Sequence, residues 1–160
     1  MKIHRLHLPQ LIAAAITITL FLALAGRAAI EETCGDMPYA VQYELGDAEF
    51  AHGDNITLKQ MRGTSETIAT GGTYCVEGTY TLASRDQADL AFFTTTITHS
   101  GPAQIDPRQH VRIKKGTGSF SLVKTLKEDG YLHLSFYPVH SGDDFGGMYF
   151  GQGNRVFRKQ

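Results

Sequence analysis

The feature that most constrains the fold is an alternation of apolar and polar residues with a period of two. It is clear at residues 73–82, where Tyr74, Val76, Tyr80 and Leu82 fall on one face of an extended chain. This alternation is typical of β-strands with one buried face and one face in water. The same pattern recurs in four further runs, residues 55–60, 90–98, 119–122 and 131–137.

Turn-forming glycine, proline and aspartate residues separate these runs at short intervals. About seven to nine short antiparallel strands with such close turns predict an all-β fold. We expect a single antiparallel β-sandwich, jelly-roll or immunoglobulin-like in general shape, and a small β-barrel is the alternative.

Two segments interrupt the plain strand pattern. Residues 84–90 are predicted to form a short helical turn, because Ser84 can cap it and Asp86 follows in its first turn. The glycine-rich residues 140–154 lack the helix start of a phosphate loop and the ligand spacing of a calcium loop. They are predicted to form a loop, a strand and a turn, and a last strand is expected at residues 155–158.

Residues 1–28 have the pattern of a signal peptide. Lys2 and Arg5 precede an uncharged apolar run, residues 11–26, and small residues suit cleavage near residues 25–29. As a helix this run spans about 24 Å, which is shorter than a hydrocarbon core of about 30 Å. We therefore expect export to the periplasm, the cell surface or the medium. An uncleaved anchor is the alternative, and residues 29–160 are expected to form one domain.

The charge of the exported part argues against binding to nucleic acid. Three of the 15 basic residues, Lys2, Arg5 and Arg27, belong to the leader, so 12 remain against 16 acidic ones and the net charge is −4. The only basic cluster is predicted to be the solvated face of a strand, and it comprises Arg108, Arg112, Lys114 and Lys115. No membrane contact is expected after cleavage.

The chain has two cysteines, Cys34 and Cys75, and neither lies in a CxxC motif. In an exported protein such a pair predicts a disulfide, which in the chain-entropy model contributes about 4 kcal/mol for a loop of about 40 residues. Because Cys75 alternates with Tyr74 and Val76, it should face away from their core. A metal pair or a reactive thiol is the alternative.

Motifs for catalysis, cofactors and metals are missing from the sequence. It has no GxSxG elbow, HExxH motif, phosphate-binding loop or dinucleotide fingerprint. The histidines after the leader have no HxH or helical i, i+4 spacing, so no sequence-local zinc site is predicted. We expect no cofactor and no catalytic residue, although residues from distant loops could still converge on an active site.

One strand is the best candidate for a ligand platform. If Leu132, Leu134 and Phe136 face the core, the opposite face of this strand presents Tyr131, His133, Ser135 and Tyr137. Aromatic rings can stack on sugar C–H groups, and the polar atoms can bond hydroxyls. The following loop could add three further polar groups, His140, Asp143 and Asp144. The alternative is an ordinary packing face beside a solvated turn.

Two functions from different classes follow from this pattern. The first is an exported non-catalytic module that binds a glycan or another extracytoplasmic ligand through the Tyr131–Tyr137 strand. The second is a structural or assembly protein that engages another protein of the periplasm or cell surface. An enzyme would gain support from a pocket that joins His140, Asp143 or Asp144 to a second histidine.

Overall fold

The computed structural model describes residues 34–96, 106–140 and 142–159. The signal peptide predicted at residues 1–28 lies outside these ranges. Within them, strands make up 61% of the residues and α-helices are absent, so the all-β class is confirmed. No helix in this part of the chain has the length and hydropathy needed to span a bilayer.

The described residues form seven strands and three short 3-10 helices. The strands are β1 (Tyr39–Ala40), β2 (Glu44–Glu49), β3 (Asn55–Gly63), β4 (Thr73–Thr96), β5 (His110–Thr125), β6 (Gly130–Tyr137) and β7 (Gly146–Gly151). The 3-10 helices are η1 (Cys34–Asp36), η2 (Pro107–Gln109) and η3 (Gly153–Arg155).

The strands pair in one antiparallel sheet that curls into a half-barrel, and the two separate sheets of a sandwich are not confirmed. The order is β1-β3-β4-β6-β7-β2, and β5 pairs with β4 off this path. The strands form one sheet because β4 is 24 residues long and pairs with different strands along its length. Its first part pairs with β3 and β5, and its second part pairs with β5 and β6.

The helical turn predicted at residues 84–90 was wrong, because this segment continues strand β4. The register of β4 against β5 shifts between Leu82 and Gln87, so the chain bends there without ending the strand. The side chain of Asp54 accepts hydrogen bonds from the backbone N–H of Ala83 and of Ser84, and from the Ser84 hydroxyl. Ser84, which was expected to cap a helix, therefore links the bend in β4 to the turn before β3 through its hydrogen bonds to Asp54.

Period-two alternation correctly identified the core-facing residues. On β3, β4 and β6 the apolar residues of one face join a single buried cluster, which includes Ile56, Leu58, Tyr74, Val76, Leu82, Leu132, Leu134 and Phe136. Met148 and Phe150 of β7 close the same core. Each fully buried side chain of this size contributes about 1.5–3 kcal/mol of transfer free energy. The core thus lies inside the curl of the sheet.

A disulfide joins Cys34 and Cys75, as predicted, with a Cα–Cα distance of 5.3 Å. Cys75 faces away from the main core and forms a small second cluster with Cys34, Val123 and Met37. The Arg62 side chain donates a hydrogen bond of 2.7 Å to the Met37 carbonyl. The segment before β1 is therefore held on the outer face of the sheet by a covalent bond and by a hydrogen bond.

The glycine-rich segment contains one of its two expected strands. Strand β7 is present at Gly146–Gly151, but the last strand expected at residues 155–158 was wrong. Gly153 has a positive φ of 56°, which ends the extended path and begins η3. The chain then turns back along β2, where the Asp47 N–H donates to the Phe157 carbonyl.

The basic cluster has the predicted solvated position for its strand residues. On β5, Arg112, Lys114 and Lys115 are exposed while Ile113 between them is buried. Arg108 instead lies in η2, where its guanidinium pairs with Asp106 at 2.8 Å. The four basic side chains are therefore divided between η2 and β5.

Candidate functional site

Strand β6 has two different faces, and its outer face carries the residues predicted to form a ligand platform. Leu132, Leu134 and Phe136 fill the core, as expected. The four residues that alternate with them are Tyr131, His133, Ser135 and Tyr137. His133 and Ser135 are buried although they lie outside the main core, with 9% and 2% exposure, and the two tyrosines are half-buried. Other residues must therefore cover the middle of this face.

Aromatic rings from three neighbouring segments provide this cover. From β7, the Tyr149 ring lies 5.3 Å from the His133 ring between centroids. Phe157 follows η3, and its ring lies 4.5 Å from that of Tyr149. On the other side, the Phe93 ring of β4 meets Tyr137 edge-on at 5.3 Å. The outer side of β4, β6 and β7 is thus an aromatic face.

A cavity of about 750 Å³ opens on this aromatic face. His133, Ser135 and Tyr137 line it from β6, and Tyr149 and Phe157 supply further aromatic wall. Pockets for small molecules measure about 300–1,000 Å³ and combine apolar walls with a few polar groups. We call this space the site cavity.

The β6 residues His133, Ser135 and Tyr137 form the floor of the site cavity, and a glycine keeps the space above this floor open. Gly147 of β7 pairs with Ser135 of β6, and a Cβ atom at Gly147 would collide with the Ser135 hydroxyl and with the Leu134 carbonyl. Any larger residue here would push β7 away from β6 or fill the space above Ser135. Part of the glycine-rich segment therefore shapes the cavity as well as turning the chain.

The structure brings together four of the seven predicted site residues. His133, Ser135, Tyr137 and Asp144 line the site cavity. Tyr131 does not line it, because its ring packs edge-on against Phe157 at 5.4 Å. His140 and Asp143 are exposed and do not line it either.

Ten of the described lining residues were not identified as site residues from the sequence, and five of them carry aromatic or charged side chains that matter for binding: Tyr149, Phe157, Asp47, Glu49 and Lys159. A signal existed for Tyr149, which alternates with Met148 and Phe150 and therefore had to face outward. No local pattern reveals the others, since β2 and the segment after η3 reach the cavity through pairing between distant parts of the chain.

Burial keeps His133 neutral over the usual pH range. Loss of solvent lowers the pKa of His133 from 6.5 to about 4, the carboxylate of Asp144 opposes this shift, and the ammonium of Lys124 adds to it. Its Nδ1 atom lies 2.9 Å from the Ser135 hydroxyl. The Nε2 atom has no hydrogen-bond partner among the described residues. A neutral imidazole with one uncommitted nitrogen therefore borders the cavity.

The phenol of Tyr137 also stays neutral. Burial and, to a smaller extent, the nearby Asp144 carboxylate together raise the pKa of Tyr137 to about 12, while a hydrogen bond with the Ser135 hydroxyl acts in the opposite direction. A neutral phenol has one proton to donate and lone pairs to accept. The floor of the cavity is therefore polar but carries no charge at neutral pH.

The charged residues that line the site cavity in the described part of the chain, which we call its rim, are Asp47, Glu49, Asp144 and Lys159. Glu49 and Lys159 form an exposed ion pair of 2.9 Å, and this hydrogen bond lowers the pKa of Glu49 and raises the pKa of Lys159. The carboxylate of Asp47 accepts a hydrogen bond from the Lys159 backbone N–H. Asp144 forms no ion pair or hydrogen bond with any residue that the structure describes.

The one group of described side chains with metal-ligand spacing lies away from this cavity. It consists of Cys34, Cys75 and Glu77. Both of its sulfur atoms are committed to the disulfide, and the Glu77 carboxylate accepts a hydrogen bond of 3.0 Å from the Cys34 N–H. This group has a structural function in holding η1 on the sheet.

Comparison of the chain with protein-family models, with curated proteins and with solved structures gave no match. The function is therefore inferred from the geometry of the site cavity.

Proposed function

We propose that the protein is an exported, non-catalytic β module that binds a glycan or another extracytoplasmic ligand in the site cavity. The observation that carries this proposal is the cavity itself, which sets aromatic rings beside polar side chains. Tyr149 and Phe157 offer apolar surfaces to sugar C–H groups. The Nε2 atom of His133 and the Tyr137 phenol offer hydrogen bonds to hydroxyls.

Export is supported by the covalent chemistry of the chain. The Cys34–Cys75 disulfide suits an oxidising compartment, since such bonds persist outside the cytosol and are rare within it. The apolar run at residues 11–26 is the proposed export signal. The ligand would then be a molecule of the periplasm, the cell surface or the surroundings.

A binding role suits the cavity better than catalysis. The cavity joins Asp144 to a histidine, His133, which is the arrangement that would support an enzyme, but the properties of its side chains favour binding. With a pKa of about 4, His133 is a weak general base at neutral pH. Ser135 is 2% exposed, which leaves its hydroxyl little access to a substrate carbonyl.

A glycan array with the purified exported form tests the proposal. We expect a defined subset of oligosaccharides to bind. Tyr149→Ala should weaken that binding by at least about tenfold, because a stacking surface is lost. Tyr39→Ala, which removes a tyrosine with 44% exposure on β1, should not change it.

Loss of folding must be separated from loss of binding. The circular dichroism spectrum and melting temperature of each variant provide that check, and Tyr149→Phe should keep most of the affinity because the ring remains. The proposal is overturned if no glycan or other small ligand binds, or if Tyr149→Ala binds as the wild type does while folded.

An assembly function is the second candidate, and the free edge of β5 favours it. Among the described residues, this strand of 16 residues pairs with β4 alone. An unpaired edge of this length can accept a strand from another chain. Lys114 and Lys115 lie on this edge, and charged side chains disfavour pairing with another strand, so they limit unspecific association.

Sedimentation velocity at increasing protein concentration tests this second function. If β5 mediates self-association, Val111→Lys should abolish it, because Val111 is an exposed apolar residue of that strand. Leu45→Lys, which changes an exposed apolar residue on β2, is the control. A wild-type protein that stays monomeric and forms no crosslinks to other exported proteins would contradict the assembly function.

A further inference from the structure

We infer that the site cavity selects glycans that carry a protonated amino group, namely amino sugars without an N-acetyl group. This inference rests on the proposed binding function and specifies its ligand class. It depends on the charge, the aromatic surface and the neutral floor of the cavity, which are independent features of the same space.

The charges at the rim favour a cation. Among the described residues, Asp47, Glu49 and Asp144 place three carboxylates around the cavity, and Lys159 is the only ammonium group that lines it. Because Lys159 is paired with Glu49, it compensates one carboxylate and leaves the others. The lining therefore carries two net negative charges, since His133 is neutral. Such a field attracts cations and opposes sugar acids and phosphates.

One carboxylate remains available for a ligand. Asp144 has an exposed side chain and no ion pair or hydrogen bond within the described part of the chain. It lies close enough to His133 and Tyr137 to shift the pKa of both groups, so it borders the floor of the cavity. An ammonium group bound there would be in contact with Asp144 and near the Tyr137 ring.

The aromatic face also favours a cation. A ring presents a negative surface to a positive charge within about 6 Å, and this attraction is strongest where water is excluded. Tyr137, Tyr149 and Phe157 line the cavity and are all half-buried. The protein already makes such a contact beside the cavity, where the Arg85 guanidinium lies 4.0 Å from the centroid of the Phe145 ring.

The floor of the cavity recognises the rest of a sugar. His133 is nine-tenths buried, and its uncommitted Nε2 atom can accept a hydrogen bond from a hydroxyl or donate one to it, depending on the tautomer. An imidazolium at this position would repel an amine, but burial keeps the ring neutral. The cavity thus combines a hydroxyl-binding floor with a cation-binding rim, and an amino sugar has both groups.

Two matched ligands separate charge from shape. Short β-1,4-linked oligomers of glucosamine and of N-acetylglucosamine share one backbone, and only the first is cationic. Isothermal titration calorimetry is carried out at a pH above the His133 pKa of about 4 and below the pKa of the sugar amine. We expect the glucosamine oligomer to bind at least about tenfold more tightly, and added salt to reduce this preference.

Adjacent aspartates provide the matched variants. Asp144→Asn should reduce affinity for the glucosamine oligomer by about five- to tenfold and leave binding of the acetylated oligomer nearly unchanged. Asp143→Asn removes the same charge one residue away, outside the lining of the cavity, and should have little effect. Both positions are exposed, so neither variant should impair folding.

Three results would overturn the inference. The first is equal binding of the two oligomers, and the second is a preference for the acetylated one. The third is an Asp144→Asn variant that retains the full preference for the amine. If both oligomers fail to bind while other glycans bind in a manner sensitive to Tyr149→Ala, the inference is wrong but the proposed function stands. If no glycan or other small ligand binds, both are wrong.

Discussion

The Nδ1 atom of His133 lies 2.9 Å from the hydroxyl oxygen of Ser135, and both side chains are buried on the outer face of β6. Two polar groups, two residues apart, thus satisfy each other where the aromatic face excludes water. This arrangement stabilises a neutral imidazole, because burial penalises the charged form more than the Asp144 carboxylate favours it. It therefore links the stability of the fold to pH.

The first prediction is that His133 makes the protein less stable in mild acid. Its folded-state pKa is about 4 and its ordinary pKa is 6.5, so between these values the unfolded chain binds a proton that the folded chain does not. The stability that the folded protein gains from a neutral His133 is fully present above pH 6.5 and is lost as the pH falls toward 4. The shift corresponds to about 3 kcal/mol at most.

Urea unfolding at several pH values measures this contribution. The His133→Gln variant should lose stability less steeply than the wild type over this interval. His140→Gln, which changes an exposed histidine, should follow the wild-type slope. Identical slopes for wild type and His133→Gln would contradict the prediction.

The second prediction concerns Asp144, whose negative charge acts on two neighbours. It raises the pKa of both His133 and Tyr137. Asp144→Asn should therefore lower the pKa of both side chains, although burial still holds His133 below 6.5 and Tyr137 above 10. Side-chain NMR titration measures both values. Unchanged values would show that Asp144 lies farther from the floor than the structure places it, and Asp143→Asn is the control.

The third prediction concerns the disulfide. The double variant Cys34→Ser/Cys75→Ser should lower the free energy of unfolding by about 2–5 kcal/mol, because a closed loop with a sequence separation of 41 is opened. Hydrogen exchange should accelerate most at β1 and around Met37, which the bond holds on the sheet. Mass spectrometry of the wild type under non-reducing conditions should find no free thiol. Free thiols in protein from an oxidising compartment would contradict this prediction.

The fourth prediction concerns Asp54, which is buried at the turn before β3. Burial alone would raise the pKa of Asp54, but hydrogen bonds from Ser84 and Ala83 outweigh it and hold the pKa below the ordinary value. Asp54→Ala leaves two backbone N–H groups without their acceptor and should cost about 1–3 kcal/mol.

Chemical denaturation of Asp54→Ala measures this loss. Since the pKa of Asp54 is lowered, its contribution is present above the ordinary pKa of 3.8 and is lost as the pH falls through the folded value. Asp143→Ala, which changes an exposed aspartate, should stay within about 0.5 kcal/mol of the wild type. An unchanged free energy of unfolding in Asp54→Ala would contradict the prediction and would show that water accepts the hydrogen bonds in place of the carboxylate.

Local pattern predicted the faces of the strands but not their arrangement. Alternation placed Leu134 inside and His133 outside because the side-chain period of a strand is fixed at two. It could not show that residues 84–90 extend β4, since Asp54, a residue 30 positions from Ser84, supplies the bonds that hold this bend. A capping residue and an acidic first turn are weak signals when a distant carboxylate competes for the same hydroxyl.

The site was predicted only where it lies on a single strand. His133, Ser135 and Tyr137 come from one alternating run, so the sequence brings them together by itself. Phe157 and Lys159 reach the same cavity through bonds to Asp47, across a separation of more than 100 residues. No short pattern encodes that approach, because it depends on the pairing of β2 with β7.

The shared strand β4 also determines how the molecule responds to its surroundings. Its first part carries Cys75 and its second part carries Phe93 beside the site cavity, and one uninterrupted backbone joins them. Strand β5 also pairs with both parts of β4, so the two parts of the half-barrel share two strands. Oxidation of the thiols and occupancy of the cavity therefore act on one common unfolding equilibrium. Either event should therefore increase the resistance of the domain to proteolysis.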